Sequence, residues 1–205
     1  MRRSEKEFTD QAAIAQVLDG AEWGVLGLVS PGGTPLLVPL NYVYFQERIY
    51  FHGAPAGEKM ETLAVNGQAT FLVVDAYAQI PSHVFDAQRA CPATQYFKSV
   101  LLYGRVGIVG DLDRKAEVLQ ALMEKLQPEG GFRPITAADP MYHGSVKGVA
   151  ILEFTVERSS AKVEVGQRLT ADRRESVLRF LEKRGGEVDL RTLKAMADPG
   201  SPSPS

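Results

Sequence analysis

The sequence has little of what several large classes of protein need. Cys91 is its only cysteine, so the chain can form no intrachain disulfide, and the reducing cytoplasm is the expected compartment. No apolar run approaches the ~20 residues of a membrane-spanning helix. The first residues, Met-Arg-Arg-Ser-Glu-Lys-Glu, lack the apolar stretch of a secretory signal. We therefore expect a cytoplasmic protein without a membrane partner.

The chain also lacks an excess of basic charge, since its formal net charge is -2, and we expect no nucleic-acid partner. Its only histidines are His52, His83 and His143, and their separations lack the short spacing of common metal motifs. We therefore expect no metal site. The glycines form neither a dinucleotide-binding fingerprint nor a P-loop.

What the chain does have is a series of apolar segments that predict strands. They lie at 23–29, 36–45, 48–53, 69–75, 99–109 and 148–157. Helices are predicted after a Thr9 cap, over 58–65, from Asp111 or Asp113 to Leu126, over 170–184 and over 189–197, and loops over 76–97 and 128–140. Six strands in hairpin order with few helices favour a mainly β protein with peripheral helices, a small antiparallel barrel.

One stretch carries the strongest chemical signal. The strand Arg48–Gly53 is followed by the small residues Ala-Pro-Ala-Gly57 and then by a helix whose second residue is Lys59. The first turn of a helix leaves N–H groups unpaired, and a glycine lets an anion come close to them. This pattern predicts a phosphate site, with His52 on the same edge. The alternative is a surface turn with a solvated lysine.

The same stretch resembles a known family. Tyr50-Phe-His-Gly-Ala-Pro-Ala-Gly-Glu-Lys59 is similar to the signature of FMN-binding split-barrel proteins of the nitroimidazole-resistance (Nim) family, which is related to pyridoxamine 5'-phosphate oxidase. Further matches are the basic start Met-Arg-Arg, the strand Pro35-Leu-Leu-Val-Pro-Leu-Asn-Tyr42, and Ser99-Val-Leu-Leu-Tyr-Gly-Arg105. The resemblance covers roughly residues 1–160.

The resemblance implies an antiparallel six-stranded split β-barrel that forms a homodimer with FMN at the subunit interface. It implies that Lys59 and backbone groups near it bind the phosphate. It also implies that His52 lies beside the reactive part of the flavin and that Ser99 reaches the cofactor of the partner subunit. The full set of implied cofactor-binding residues is Val38, Pro39, Leu40 and Asn41 along the ring, then His52, Gly53, Ala54, Gly57, Lys59 and Ser99.

The function that the resemblance implies is an FMN-dependent oxidoreductase that reduces the nitro group of a 5-nitroimidazole drug to an amine and so confers antibiotic resistance. His52 is the expected proton donor or orienter of the substrate, and the alternative is a residue at the mouth of the barrel that only forms hydrogen bonds. One alternative is an oxidase of a pyridoxamine-phosphate-like substrate, for which the sequence offers no second cluster of arginine and lysine. Another alternative is a protein that binds a flavin or small ligand without catalysis.

The resemblance also predicts the domain organisation. Residues 1–160 are expected to form the FMN-binding split barrel, and residues 161–197 a helical extension of it. The remaining residues, 198–205, are Asp-Pro-Gly-Ser-Pro-Ser-Pro-Ser, and a stretch of this composition without an apolar anchor is typical of a disordered tail.

Overall fold

A computed structural model of the chain describes residues 6–197, so the basic start and the tail predicted over 198–205 lie outside the described residues. Within the described residues no helix is long and apolar enough to cross a membrane. In chain order the elements are β1 (Glu7–Phe8), α1 (Gln11–Gly20), β2 (Trp23–Val29), β3 (Pro35–Asn41), β4 (Val43–Phe45), β5 (Arg48–Gly53), α2 (Glu58–Val65), β6 (Gln68–Ile80), β7 (Thr94–Val109), α3 (Leu112–Leu126), α4 (Pro140–Gly148), β8 (Ala150–Glu164), α5 (Ala171–Arg184) and α6 (Glu187–Ala197).

The strands form one sheet of eight strands in the order β3-β2-β6-β7-β8-β5-β4, with β1 paired to β8. The pairs β2–β3, β2–β6, β4–β5, β5–β8 and β1–β8 are antiparallel. This confirms the predicted class, a mainly antiparallel β fold with peripheral helices. Because the order of strands has two ends, the sheet is open within the described part of the chain.

The strand count differs from the predicted six for a local reason. The segment predicted as one strand over 36–45 divides at Tyr42, so that β3 pairs with β2 while β4 pairs with β5. Tyr42 is fully buried, and its ring meets Phe71 edge-on at 5.0 Å between centroids. Because the Tyr42 ring is held in the apolar interior, the chain changes direction there, and it passes from pairing with β2 to pairing with β5. The two-residue strand β1 adds to the count.

The chain divides into two compact units, and β6, β7 and β8 contribute residues to both. The first unit contains the described residues of 6–20, 74–100 and 160–197, and the second contains 21–73 and 101–159. The core of the first unit joins the strand residues Tyr77, Ile80 and Tyr96 to helix residues such as Val177 and Leu181. Helices α5 and α6 therefore share one apolar core with strand ends of their own unit.

The predicted loop over 76–97 is wrong at both ends. β6 continues to Ile80 and β7 begins at Thr94, which leaves 81–93 as the connection, with a short 3-10 turn at Ser82–Val84. Strand pairing extends these segments because their side chains have a core to enter, and Tyr77 and Tyr96 are each at most 3% exposed. The sequence alone does not reveal that these strand residues are buried, because the helices that cover them lie about a hundred residues later in the chain.

Several helix predictions need smaller corrections. Asp10 caps α1 instead of Thr9, since its carboxylate accepts from the N–H of Ala13 at 2.9 Å. Asp111, one of the two predicted caps of α3, accepts from the N–H of Arg114 at 2.7 Å. The strand predicted to end at 157 continues as β8 to Glu164. Helix α4, capped by Asp139, was not predicted at all.

The C-terminal helices follow the predicted pattern closely. Thr170 precedes α5, and Gly185 ends it in the left-handed region, with φ of 65°. Helix α6 begins two residues earlier than predicted, at Glu187. The division of the chain into residues 1–160 and a helical extension stays a prediction.

Candidate functional site

The turn between β5 and α2 ends in a glycine that the backbone requires. Gly57, the residue before α2, has φ of 106° and ψ of 174°, a region that other residues avoid. Its carbonyl accepts from the N–H groups of Met60 and Glu61 at 2.8 and 3.0 Å. The N–H groups of Glu58 and Lys59, the first two helical residues, therefore point beyond the helix start. The local structure provides two backbone donors for an anion, as the sequence predicted.

Lys59 reaches back from this helix to the end of β5. Its Nζ lies where a side chain at position 53 would be, since a Cβ on Gly53 would be 2.6 Å from that nitrogen. The side chain is half-buried, and burial lowers the pKa of Lys59. Burial lowers it because the ammonium has lost part of its hydration. A bound anion would compensate for the lost hydration. A fully solvated lysine, in contrast, would have no lowered pKa.

His52 lies directly before Gly53 on β5, and its side chain is exposed. In the sheet it pairs with Ile151 of β8, and Gly53 pairs with Ala150. Ala54 follows in the exposed turn. The structure therefore brings together the four predicted residues His52, Gly53, Gly57 and Lys59 at one end of β5.

Strand β3 holds the predicted ring-contacting residues, and it is the end strand of the sheet order. The N–H of Ser30 donates to the carbonyl of Thr34 at 2.9 Å, so these two residues form a hydrogen-bonded pair at the turn of the hairpin. In an antiparallel pair of strands every second residue pair is hydrogen-bonded, so the hydrogen-bonded residues of β2 and β3 are the even-numbered ones. Odd-numbered residues of β3 then point their backbone groups away from β2. Pro35 and Pro39 both occupy such positions, so neither proline removes a ladder bond. Pro39 therefore lies at an edge of the sheet within the described residues.

The alternation along β3 also divides the four predicted residues by face. Val38 and Leu40 are half-buried, whereas Pro39 and Asn41 are exposed. All four side chains cannot line one flat surface, so a planar ligand that meets all of them must lie along the backbone edge of β3. That edge offers the carbonyl of Pro39 and the N–H of Asn41. The side-chain amide of Asn41 donates to the carbonyl of Glu22 at 3.2 Å.

Strands β3 and β5 approach each other, with Cα atoms within 8 Å. The predicted ring-contacting strand and the strand that leads into the predicted phosphate-binding turn are therefore neighbours within the second unit. Ser99 belongs to the first unit, on β7, where it is half-buried. Along β7 it faces the side opposite to the buried residues Tyr96 and Lys98.

A buried polar network at Tyr50 of β5 was not predicted from the sequence. Tyr50 is fully buried, and its hydroxyl donates to Glu153 at 2.7 Å and accepts from Arg114 at 2.8 Å. Burial, followed by the hydrogen bond to Glu153, raises the pKa of Tyr50. The guanidinium of Arg114 lies 5.1 Å from the ring centroids of both Tyr50 and Phe45. This network ties β5 to β8 and α3 two residues before His52, and no sequence motif marks it.

The sheet face around Pro39 is apolar and exposed. Trp23 lies opposite Asn41 in the β2–β3 register and is 56% exposed, and Leu37 on β3 is 69% exposed. Leu72 of β6 pairs with Val25 on the same face and is 38% exposed. Contiguous apolar surface of this kind is typical of a surface that a partner or ligand covers.

The family model for pyridoxamine 5'-phosphate oxidase matches residues 10–163. Among curated proteins, no sequence is significantly similar to the chain. The predicted relationship to pyridoxamine 5'-phosphate oxidase is confirmed by the family match.

Several solved structures share the fold. A candidate 5-nitroimidazole antibiotic resistance protein from Bacteroides thetaiotaomicron VPI-5482 is 22% identical, with a TM-score of 0.61, over 77% of this chain and 86% of that chain. A flavocytochrome from Azotobacter vinelandii is 22% identical, with a TM-score of 0.65, over 80% and 72% of the two chains. An FAD and heme binding protein from Mycobacterium smegmatis is 18% identical, with a TM-score of 0.65, over 88% and 80%. Because the family match spans well over half of its length, the chain belongs to the pyridoxamine 5'-phosphate oxidase family.

Proposed function

We propose that this protein is an FMN-dependent oxidoreductase that reduces the nitro group of a 5-nitroimidazole to an amine. The observation that carries the proposal is the position of Lys59, a half-buried cation at the start of α2 that lies over Gly53, the residue after His52. Family membership supports a flavin-dependent oxidoreductase. The fold shared with a candidate nitroimidazole resistance protein supports the choice of substrate.

The residues at this end of β5 fit a flavin mononucleotide. The phosphate would accept hydrogen bonds from the N–H groups of Glu58 and Lys59 and pair with the Lys59 ammonium. The glycines at 53 and 57 leave room for it, and Ala54 adds only a methyl group to the turn. The polar edge of the ring would meet the backbone of Pro39 and Asn41, with Val38 and Leu40 behind that backbone. Glu58 and Glu61 are also in the first turn, so the lysine must offset two carboxylates.

Reduction of a nitro group to an amine consumes six electrons and six protons and releases two molecules of water. A bound flavin would supply the electrons in pairs. The part assigned to this chain is positioning and proton delivery. His52 is exposed at the end of β5 and its imidazole would donate protons to the oxygen atoms of the substrate, while Lys59 holds the phosphate away from the reacting atoms.

The assembly that we propose is a homodimer with the cofactor at its interface. The exposed apolar face that includes Trp23, Leu37 and Leu72 supports it, since a second copy would bury that surface. Ser99 would then contribute to the cofactor site of the partner subunit. Light scattering should find a dimer, and a stable monomer that retains tightly bound flavin would contradict this assembly.

Two alternatives follow from the comparisons. The family name points to pyridoxamine 5'-phosphate, a substrate that would need a second phosphate site. The FAD and heme binding protein from Mycobacterium smegmatis points to FAD as the flavin. Chromatography of the flavin released from the purified protein separates FMN from FAD.

The experiment that tests the function is an anaerobic reaction of the fully reduced protein with a 5-nitroimidazole and, separately, of the oxidised protein with pyridoxine 5'-phosphate, which would reduce the flavin if it were the substrate. With three or more reduced flavins per nitroimidazole, which together supply the six electrons, mass spectrometry of the product should find the amine. Reduced protein that the nitroimidazole fails to reoxidise would overturn the proposal, and a protein purified without any flavin absorption would overturn the wider assignment.

A further inference from the structure

A second concave site lies wholly within the first unit. It is a pocket of about 170 Å³ between the 81–93 connection, the start of β7 and the turn from β8 into α5. Phe85, Pro92 and Leu169 form its apolar wall. None of the residues that line it belongs to the candidate flavin site, and Tyr96, which does line it, faces the opposite side of β7 from Ser99.

Tyr96 brings an unsatisfied polar group to this pocket. The residue is 1% exposed, and its hydroxyl has no hydrogen-bond partner among residues 6–197. Burial raises the pKa of Tyr96 to about 12, so the hydroxyl keeps its proton at neutral pH and acts as a donor. A buried donor without an acceptor costs free energy, and an acceptor on a ligand would recover it.

The backbone around this hydroxyl depends on glycine. Gly166, in the turn after β8, has φ of 72°, and a Cβ at this position would collide with the Tyr96 hydroxyl. Any other residue would fill the space beside the donor and strain the backbone. The turn is closed by a hydrogen bond from the N–H of Leu169 to the carbonyl of Gly166 at 3.0 Å.

The charges around the pocket favour an anion. Arg168 and Arg173 line it together with one carboxylate, Glu164, which forms an ion pair with Lys6. The guanidinium of Arg173 lies 5.6 Å from the ring centroid of Phe85, at the apolar wall, and it also interacts with Asp86. Since Lys6 already pairs with Glu164, the carboxylate of the lining is balanced, and Arg173 at the apolar wall can pair with an anionic ligand.

We propose that this pocket binds a small planar aromatic carboxylate of about the size of benzoate. A cavity of ~150 Å³ holds a benzene ring, so the volume admits one ring and little more. The ring packs against Phe85 and Leu169, while the carboxylate accepts a hydrogen bond from the Tyr96 hydroxyl and pairs with Arg173. The site is independent of the flavin and of the proposed reaction.

Calorimetric titration of the full-length protein with benzoate tests this, with benzamide as the neutral ligand of the same shape. We expect benzoate to bind and benzamide to bind at least about tenfold more weakly. Tyr96→Phe should weaken benzoate about tenfold or more and should keep the fold, because the lost hydroxyl has no partner. Tyr103→Phe, on the same strand but outside the pocket, should leave the affinity unchanged.

Binding of benzoate at the flavin can be distinguished from binding in this pocket. Benzoate at the flavin would change the flavin absorption spectrum and would depend on flavin occupancy, whereas binding in this pocket should persist in Lys59→Ala. The proposal is overturned if wild type fails to bind benzoate, if benzamide binds equally well, if Tyr96→Phe retains full affinity, or if binding disappears in flavin-free protein.

Discussion

The ammonium of Lys59 occupies the space over Gly53 that a side chain at position 53 would take, with a Cβ there only 2.6 Å from Nζ. The two residues come from different elements, the last residue of β5 and the first turn of α2. The helix can send its cation back over the strand because the strand ends in glycine. This arrangement is the core of the proposed phosphate site.

Gly53→Ala should therefore weaken FMN without unfolding the protein. The methyl group displaces the flexible end of Lys59 and not the backbone, so the thermal midpoint should change little. We expect a loss of affinity of roughly tenfold, measured by fluorescence titration of flavin-free protein. Gly144→Ala is the matched control, since its added methyl group meets no atom within 4 Å. Unchanged FMN affinity in Gly53→Ala would mean that Lys59 does not hold the phosphate from this position.

His52→Ala should separate binding from chemistry. The side chain is exposed, and the proposed phosphate contacts are made by other groups, so the variant should keep FMN. Reoxidation of the reduced protein by a nitroimidazole should slow by ~10²–10⁴-fold, the usual contribution of general acid catalysis. Stopped-flow absorbance measures this rate, with His83→Ala as the control. A variant with full flavin and the wild-type rate would leave His52 a structural role only.

Gly104→Ala should destabilise the second unit strongly. A Cβ at position 104 would collide with the carbonyl oxygen of Thr155, and backbone cannot yield as a side-chain end can. We expect a loss of about 1–3 kcal/mol or more in the free energy of unfolding, measured by urea denaturation. Gly107→Ala, three residues along β7 with open space around it, should cost much less. Equal stability of the two variants would refute the close approach of β7 and β8.

A pH dependence follows from the cap of α6. Asp189 is 3% exposed, accepts from Arg184 Nε at 2.8 Å and from the N–H of Gly186 at 3.0 Å. The hydrogen bond from Arg184 is the main cause that lowers the pKa of Asp189 below its ordinary value of 3.8. The lowered pKa means that the carboxylate contributes stability above that value and loses it as the pH falls through the pKa of the folded state.

Asp189→Asn should therefore cost about 1–2 kcal/mol near neutral pH, a modest amount because Arg184 is partly exposed. The difference between wild type and variant should shrink as the pH falls below about 4, because the wild-type carboxylate becomes protonated as the pH falls toward and through its lowered pKa. Urea denaturation across this range measures the difference. A gap that stays constant down to about pH 2 would contradict the assigned ion pair.

The sequence predicted what depends on neighbours along the chain. Gly57 and Lys59 indicate the β5–α2 turn in the sequence, because the glycine with positive φ and the lysine of the first helical turn are only two positions apart. Contacts between residues that are far apart in the chain could not be predicted from the sequence. Tyr77 and Tyr96 are strand residues because α5 and α6 cover them, and Tyr50 is buried because Arg114 and Glu153 satisfy its hydroxyl.

The β3 prolines lie between these two cases. A proline in a strand predicts an edge, and the structure places β3 at the end of the sheet order. Whether its missing N–H would have pointed toward β2 depends on the hairpin register, which is set by the turn at Ser30–Thr34 and cannot be read from the proline alone. The face on which each ring-contacting residue lies was for this reason not predicted.

The most direct test of the central claim is the FMN affinity of Lys59→Ala, measured by fluorescence titration of flavin-free protein beside wild type. A charge-assisted contact of ~1.5–3 kcal/mol predicts a loss of roughly ten- to over a hundredfold. Lys59→Arg should lose less, and Lys183→Ala, which removes an exposed lysine of α5, should lose nothing. Wild-type FMN affinity in Lys59→Ala would contradict the proposed site, and a loss confined to Lys59→Ala would support it.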